Sequence, residues 1–275
     1  MKTYGYTDFP VVLIVRYSLY SQALAGNWRI GRRSVSDYKK RLFAPQRLAL
    51  HQELFKDITL PSILCQTRAP SVEWFTLLLI TSTELPAVNR RFIHDLLQPY
   101  DWARIVEMPA EQTDIASAVT EVAGCFASGS SYLTTRLDDD DGLAADFFER
   151  MGKYVNPRFE GYCISFGKGF AASYKGPGQF DYWQYYRPKT AAGLSMVHTA
   201  DGDEARPAKP ASILQAGNHT QVDTRRPLIV DSREPAFIRV VHDQADSGSA
   251  SRLKKKPLPP AEPDEVKRYF PFVSV

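Results

Sequence analysis

Residues 134–142 read TTRLDDDDG, four consecutive carboxylates directly after a short run that reads as a buried strand. In an extended backbone alternate side chains share a face, so Asp138 and Asp140 are expected to converge while Asp139 points outward and Asp141 elsewhere. Two converging carboxylates repel and raise one another's pKa unless a cation lies between them. Mg²⁺ or Mn²⁺ suits such a D-x-D pair, because these hard cations are held by one or two carboxylates and complete their shell with water and substrate phosphates. The implied ligand is a nucleoside diphosphate or another phosphate ester, and Arg136 stands close enough in sequence to add a bidentate contact. A plainer reading is a capping loop, in which Asp139 or Asp141 starts a helix at Leu143. A cap needs one acid, however, and the run supplies four.

Other residues could join this chemistry. His219 in GNHT or His242 in VVHDQ could complete a metal shell, although a lone histidine is more often surface or satisfied core. Arg16 ends the first apolar run, where it would either neutralise a phosphate or pair with an aspartate of the acidic run. In GPGQFDYWQYYR (176–187), five aromatics surround Asp181. Aromatic faces stack on sugar rings, and the carboxylate could take a proton from a hydroxyl nucleophile, but such density also suits a core or a strand pair. The basic segment RLKKK (252–256) reads as a solvated charge run or a contact for anionic lipid.

Several alternatives fail on spacing. An EF-hand ending in the Gly142 turn would need acids where Leu137 and Phe148 stand. A dehalogenase-type phosphatase, with Asp138 as nucleophile in D-x-D-x-[TV], needs Thr or Val where Gly142 stands. It survives as a weaker alternative, a Mg²⁺-dependent phosphohydrolase. GKGFAA (167–172) matches G-x-G-x-x-A but is followed by no full crossover helix, and it reads as a chance match.

The elements that must position these residues alternate. Strands are expected at 11–17, 74–81, 103–108, 131–137 and 161–166, and helices at 45–58, 86–100, 114–128 and 143–155. Asp138 then follows the fourth strand, at the carboxyl end where open α/β sheets bind ligands. Short strand-like pieces, 227–230 and 236–241, follow a polar loop at 199–212. The organisation expected is one domain in two halves, with 1–155 binding nucleotide-sugar and 156–244 completing the sheet on the acceptor side. A Ser-, Pro- and charge-rich tail, 245–275, would be mobile or packed on the surface.

The composition sets the outer bounds. With 34 Lys and Arg against 31 Asp and Glu in 275 residues, the charge is too balanced for a dedicated nucleic-acid binder. Three dispersed cysteines form neither a disulfide framework nor a zinc knuckle, which fits a reducing cytoplasm. No apolar run reaches a transmembrane length, so any membrane contact would be peripheral, at the inner face.

Taken together, VVLIVRYSL, TLPSILCQTRAPSVEWFTLLLITSTELP, TTRLDDDDGLAADFFERM and RPLIVDSREPAFIRVVHD resemble the bacterial putative rhamnosyltransferase family over nearly the whole chain. The resemblance implies a GT-A-like, Rossmann-like mixed sheet flanked by helices with an irregular C-terminal part. It also implies a nucleotide-diphosphate sugar donor and a saccharide or glycolipid acceptor in surface polysaccharide synthesis. Carried onto this chain, Asp138 would lie near the donor ribose or the metal, Asp140 would ligate the metal, and Asp141 would support it. A non-catalytic carbohydrate-binding protein of the same fold is the remaining alternative.

Overall fold

A computed structural model describes residues 9–21, 35–112, 115–200, 212–244 and 258–274. The basic segment 252–256 and most of the polar loop 199–212 lie outside the described residues.

Strands β1 (Val11–Arg16), β2 (Phe75–Ser82), β3 (Ala103–Met108) and β4 (Ser131–Asp138) lie parallel in a seven-stranded sheet. Its order is completed by β6 (Cys163–Phe166), β9 (Ser195–Thr199) and β10 (Leu228–Asp231), as β10-β6-β9-β4-β1-β2-β3. Only β9 runs antiparallel, to both β4 and β6. The run VVLIV is apolar throughout because both faces of its strand are covered. Val11, Leu13 and Val15 enter one core with Phe55, Ile63 and Ile93, while Val12 and Ile14 enter another with Val119 and Val122.

On one face stand helices α2 (Pro45–Leu54), α3 (Leu60–Leu64) and α4 (Ala87–Leu97), with α1 (Val35–Leu42) preceding them. Pro45 opens α2, where its missing N–H costs nothing. Between α2 and α3 the backbone widens into a π-helical turn, Phe55–Thr59. Helix α5 (Ala116–Ala123) covers the opposite face.

A second sheet was not legible beforehand. Strands β5 (Gly142–Leu143), β7 (Lys168–Gly176), β8 (Gln179–Tyr186) and β11 (Phe237–Val241) form it in the order β5-β11-β7-β8. The GKGFAA match therefore lies on β7, in a sheet and not at a helix start. The helix expected over 143–155 is reduced to α6 (Phe147–Met151), because Gly142 and Leu143 pair with Ile238 and Phe237 instead. The helix expected over 114–128 is likewise shorter. Helix α7 (Pro263–Tyr269) brings Val266, Tyr269, Phe270 and Val273 into a core with β7, β11 and the Leu54–Ile58 face of α2 and the π turn. That end of the chain is thus packed, with Val266 and Phe270 fully buried.

Candidate cation and diphosphate site

The α2–π–α3 helix lies between the two sheet cores and is stitched to the acidic loop along its length. His51 Nδ1 lies 3.0 Å from Asp139 Oδ1, and the Thr59 hydroxyl donates to the Asp141 carbonyl at 2.9 Å. Gln66 donates to the carbonyls of Ser62 and Ala144, both at 2.8 Å, and accepts the Phe148 N–H at 3.3 Å. These bonds satisfy backbone groups that would otherwise be buried unpaired in the irregular stretch after β4.

The loop's other side is set by β11. Its antiparallel pairing with β5 matches Ile238 with Gly142, and continuing in that direction carries Val240 and His242 back along the aspartates. The Val240 N–H donates to Asp141 Oδ1 at 3.0 Å, and His242 Nε2 lies 2.9 Å from Asp140 Oδ2.

At the strand ends, Arg16 and Asp138 are register partners of parallel neighbours β1 and β4. Arg16 Nη2 reaches Asp138 Oδ1 at 3.5 Å, and Arg136 Nη2 reaches the same oxygen at 3.3 Å. Of the two roles read for Arg16, this geometry contains the aspartate pair. Burial alone would raise the Asp138 carboxyl, but the guanidiniums of Arg136 and Arg16 hold it below its usual range. Burial and the neighbouring Arg16 push Arg136 down to about 10. Arg239 on β11, a lone charge inside AFIRVV that the sequence reading passed over, feels Asp141, Asp138 and Asp140.

The four aspartates divide differently from the alternation expected. Asp139 does not point outward: its side chain is 7% exposed and faces His51, because the helix packs directly over the loop. Asp140 is also opposed by burial, but the hydrogen bond and charge of His242, with His51 and Arg239 behind them, pull it well below the carboxylate range. Asp141 moves the other way, raised by burial and by Asp140, with its carboxyl spent on Val240. Among the described residues the group able to hold a metal ion is His51, Asp140 and His242, whose ligand atoms lie within 4.8 Å of one another. Asp138 and Asp141 are not in it, because one is paired to arginines and the other to backbone. An ion fits this group: His51 Nε2 is buried without a hydrogen-bond partner among the described residues, His242 Nε2 and Asp140 Oδ2 stand 2.9 Å apart as two ligands of one ion would, and two imidazoles beside a carboxylate are a transition-metal donor set.

His219 takes a different place. Its Nδ1 lies 2.6 Å from the Lys189 carbonyl, and burial together with Arg136 pushes it down to about 4. It is a neutral neighbour of the arginine pair, and of the two histidines considered it is His242 that meets Asp140. Asp181 sits on β8 in an ion pair with Lys175 at 2.9 Å, its side chain 54% exposed. Among the described residues this ion pair joins Asp181 to Lys175 and not to the acidic loop. His51 was missed, although a signal existed: it stands on the same helical face as Leu48, Leu54 and Ile58, a titratable group among core positions.

Residues 10–253 match the model of a family described as "Putative rhamnosyl transferase". No curated protein matches the sequence significantly. Among solved structures, the crystal structure of S. aureus TarS 1-349 superposes with a TM-score of 0.43 at 8% identity, over 84% of this chain. The chain spans 60% of that one's length.

Proposed function

Because the chain belongs to the family described as "Putative rhamnosyl transferase", we propose that it is a cation-dependent glycosyltransferase of GT-A-like fold. In this reading it moves a sugar, rhamnose by the family's description, from a nucleotide-diphosphate donor to a saccharide or glycolipid acceptor in surface polysaccharide synthesis. Its site of action would be cytoplasmic, with peripheral contact at the inner membrane face. Among the described residues no helix is long and apolar enough to cross a membrane.

One observation carries the reading: two arginines and a cation-ready carboxylate meet at the carboxyl ends of adjacent parallel strands. Asp138, shared by Arg16 and Arg136, lies two residues from Asp140 with its histidine partner. A donor diphosphate entering here meets guanidiniums that can take phosphate oxygens bidentately. Arg16, with 24% of its side chain exposed, is the one able to leave Asp138 for a phosphate, while the buried Arg136 keeps that carboxylate oriented. Asp138 then accepts hydrogen bonds from donor hydroxyls. Asp140 and His242 would hold Mn²⁺ or Mg²⁺, which when bound would supply Lewis-acid stabilisation of the charge on the leaving diphosphate. Arg239 adds fixed positive charge from the β11 side, where it costs no reorganisation during the reaction. Asp181, occupied by Lys175, is not assigned the acceptor's proton.

The test is release of nucleoside diphosphate from a panel of UDP-, GDP- and dTDP-sugars, with Mn²⁺ and with chelator. The expected result is cation-dependent release from at least one donor, lost in Asp140→Ala. Silence with every donor, in a protein that binds the cation, would remove the glycosyl-transfer reading.

A further inference from the structure

His51 has no counterpart in the D-x-D reading of the acidic run, yet it lies at the centre of the buried cluster. It is 2% exposed, it comes from the helix and not from the strand ends, and its ring meets that of His242 edge-on at 5.4 Å and 82°. Asp139 Oδ1 occupies Nδ1 at 3.0 Å, which fixes the ring and leaves Nε2 as the donor atom. That atom is buried without a hydrogen-bond partner among the described residues, while His242 turns Nε2 to Asp140 Oδ2 at 2.9 Å, the spacing of two ligands on one ion.

Two independent ion pairs, His51 with Asp139 and His242 with Asp140, would explain the short contacts but not the bare His51 Nε2. An ion pair with Asp139 alone would leave the His51 Nε2 edge buried beside the edge-on His242 ring with nothing to meet it, and a buried polar atom left unpaired costs about 1–3 kcal/mol. A bound cation uses the lone pairs instead. A carboxylate on the far nitrogen of a metal-binding histidine is the usual means of fixing its tautomer and raising its basicity.

We infer that His51, Asp140 and His242 form a two-histidine, one-carboxylate cation site, with Asp139 as the positioning residue behind His51, and that it takes Mn²⁺ or another first-row transition ion in preference to Mg²⁺. Mg²⁺ favours oxygen ligands and retains its waters, whereas imidazole suits the transition ions. The inference deepens the proposed transferase and rests on it for the ion's role in turnover, but not for its binding.

The experiment titrates the chelator-treated full chain with Mn²⁺, without nucleotide, following free Mn²⁺ by electron paramagnetic resonance and counting ring-nitrogen couplings by its pulsed form. Wild type should show two nitrogen couplings and keep its Mn²⁺ against a large excess of Mg²⁺. His51→Gln should show one coupling and bind at least about 10-fold more weakly, and Asp139→Asn should weaken binding by roughly 10–100-fold while keeping both couplings. Fewer than two couplings in wild type would overturn the inference, as would displacement by equimolar Mg²⁺ or an unchanged affinity in His51→Gln. The wild-type coupling count decides even if His51→Gln fails to fold. Two couplings in a protein that turns over no sugar donor would keep this site and remove the transferase reading; Mg²⁺-supported turnover unchanged in His51→Gln would do the reverse.

Discussion

Asp138 and Asp140 are both held below the ordinary carboxylate range despite burial, but by different partners, and that difference assigns them different work. Arginines surround the first and imidazoles the second. Replacing Arg16 by Ala should therefore lower diphosphate affinity by about tenfold or more, the worth of a charge-assisted hydrogen bond of roughly 1.5–3 kcal/mol. Thermal stability should barely move, because the Arg16–Asp138 pair is long and partly exposed. Calorimetric titration and a melting curve check the two halves; a stability loss without an affinity loss would make Arg16 structural. At this scale the sequence disclosed where the carboxylates sit, because a strand's last residue faces the crevice. It did not disclose which way Asp139 points, since that depends on a helix some 80 residues earlier packing over the loop.

The elements were legible where one local pattern decided them. Continuous apolar runs marked β1 and β2 because both faces of those strands are buried. The stretch after Asp141 misled because Leu143, Ala144, Phe147 and Phe148 are all buried, in a strand, a turn and a short helix with no common period. What shapes that stretch is Gln66, whose side chain bridges Ser62, Ala144 and Phe148. Gln66→Ala removes these bonds and strands the Ser62 carbonyl and the Phe148 N–H, while Ala144 keeps the Phe147 N–H, so it should cost about 2–4 kcal/mol in urea unfolding. A second element-scale test is Gly193, with φ +78° and a Cβ position 2.6 Å from the Phe147 ring. Gly193→Ala meets left-handed strain of about 1–2 kcal/mol plus overpacking of about 1–3 kcal/mol. A loss below 1 kcal/mol would mean that the Phe147 shelf yields easily.

For the whole molecule, two sheets share one helix, and the C-terminal helix α7 closes the second core. Truncation after residue 257 removes Val266, Tyr269, Phe270 and Val273 from it. At about 1.5–3 kcal/mol per buried apolar side chain, the loss should exceed roughly 4 kcal/mol and reach His242 through β11. Melting temperature and cation affinity should fall together; a truncated chain that melts and binds as wild type would detach α7 from the site. None of this pairing was visible in the sequence, because β11 meets β7 across 68 residues and β5 across 94. Above them all stands the claim that Asp140 couples a cation to a nucleotide diphosphate, and calorimetric titration of UDP, GDP and dTDP with and without Mn²⁺ tests it most directly. The account predicts that Mn²⁺ tightens at least one nucleotide by about tenfold or more in wild type and not at all in Asp140→Ala. Equal affinity with Mn²⁺ and with chelator for every nucleotide would contradict it.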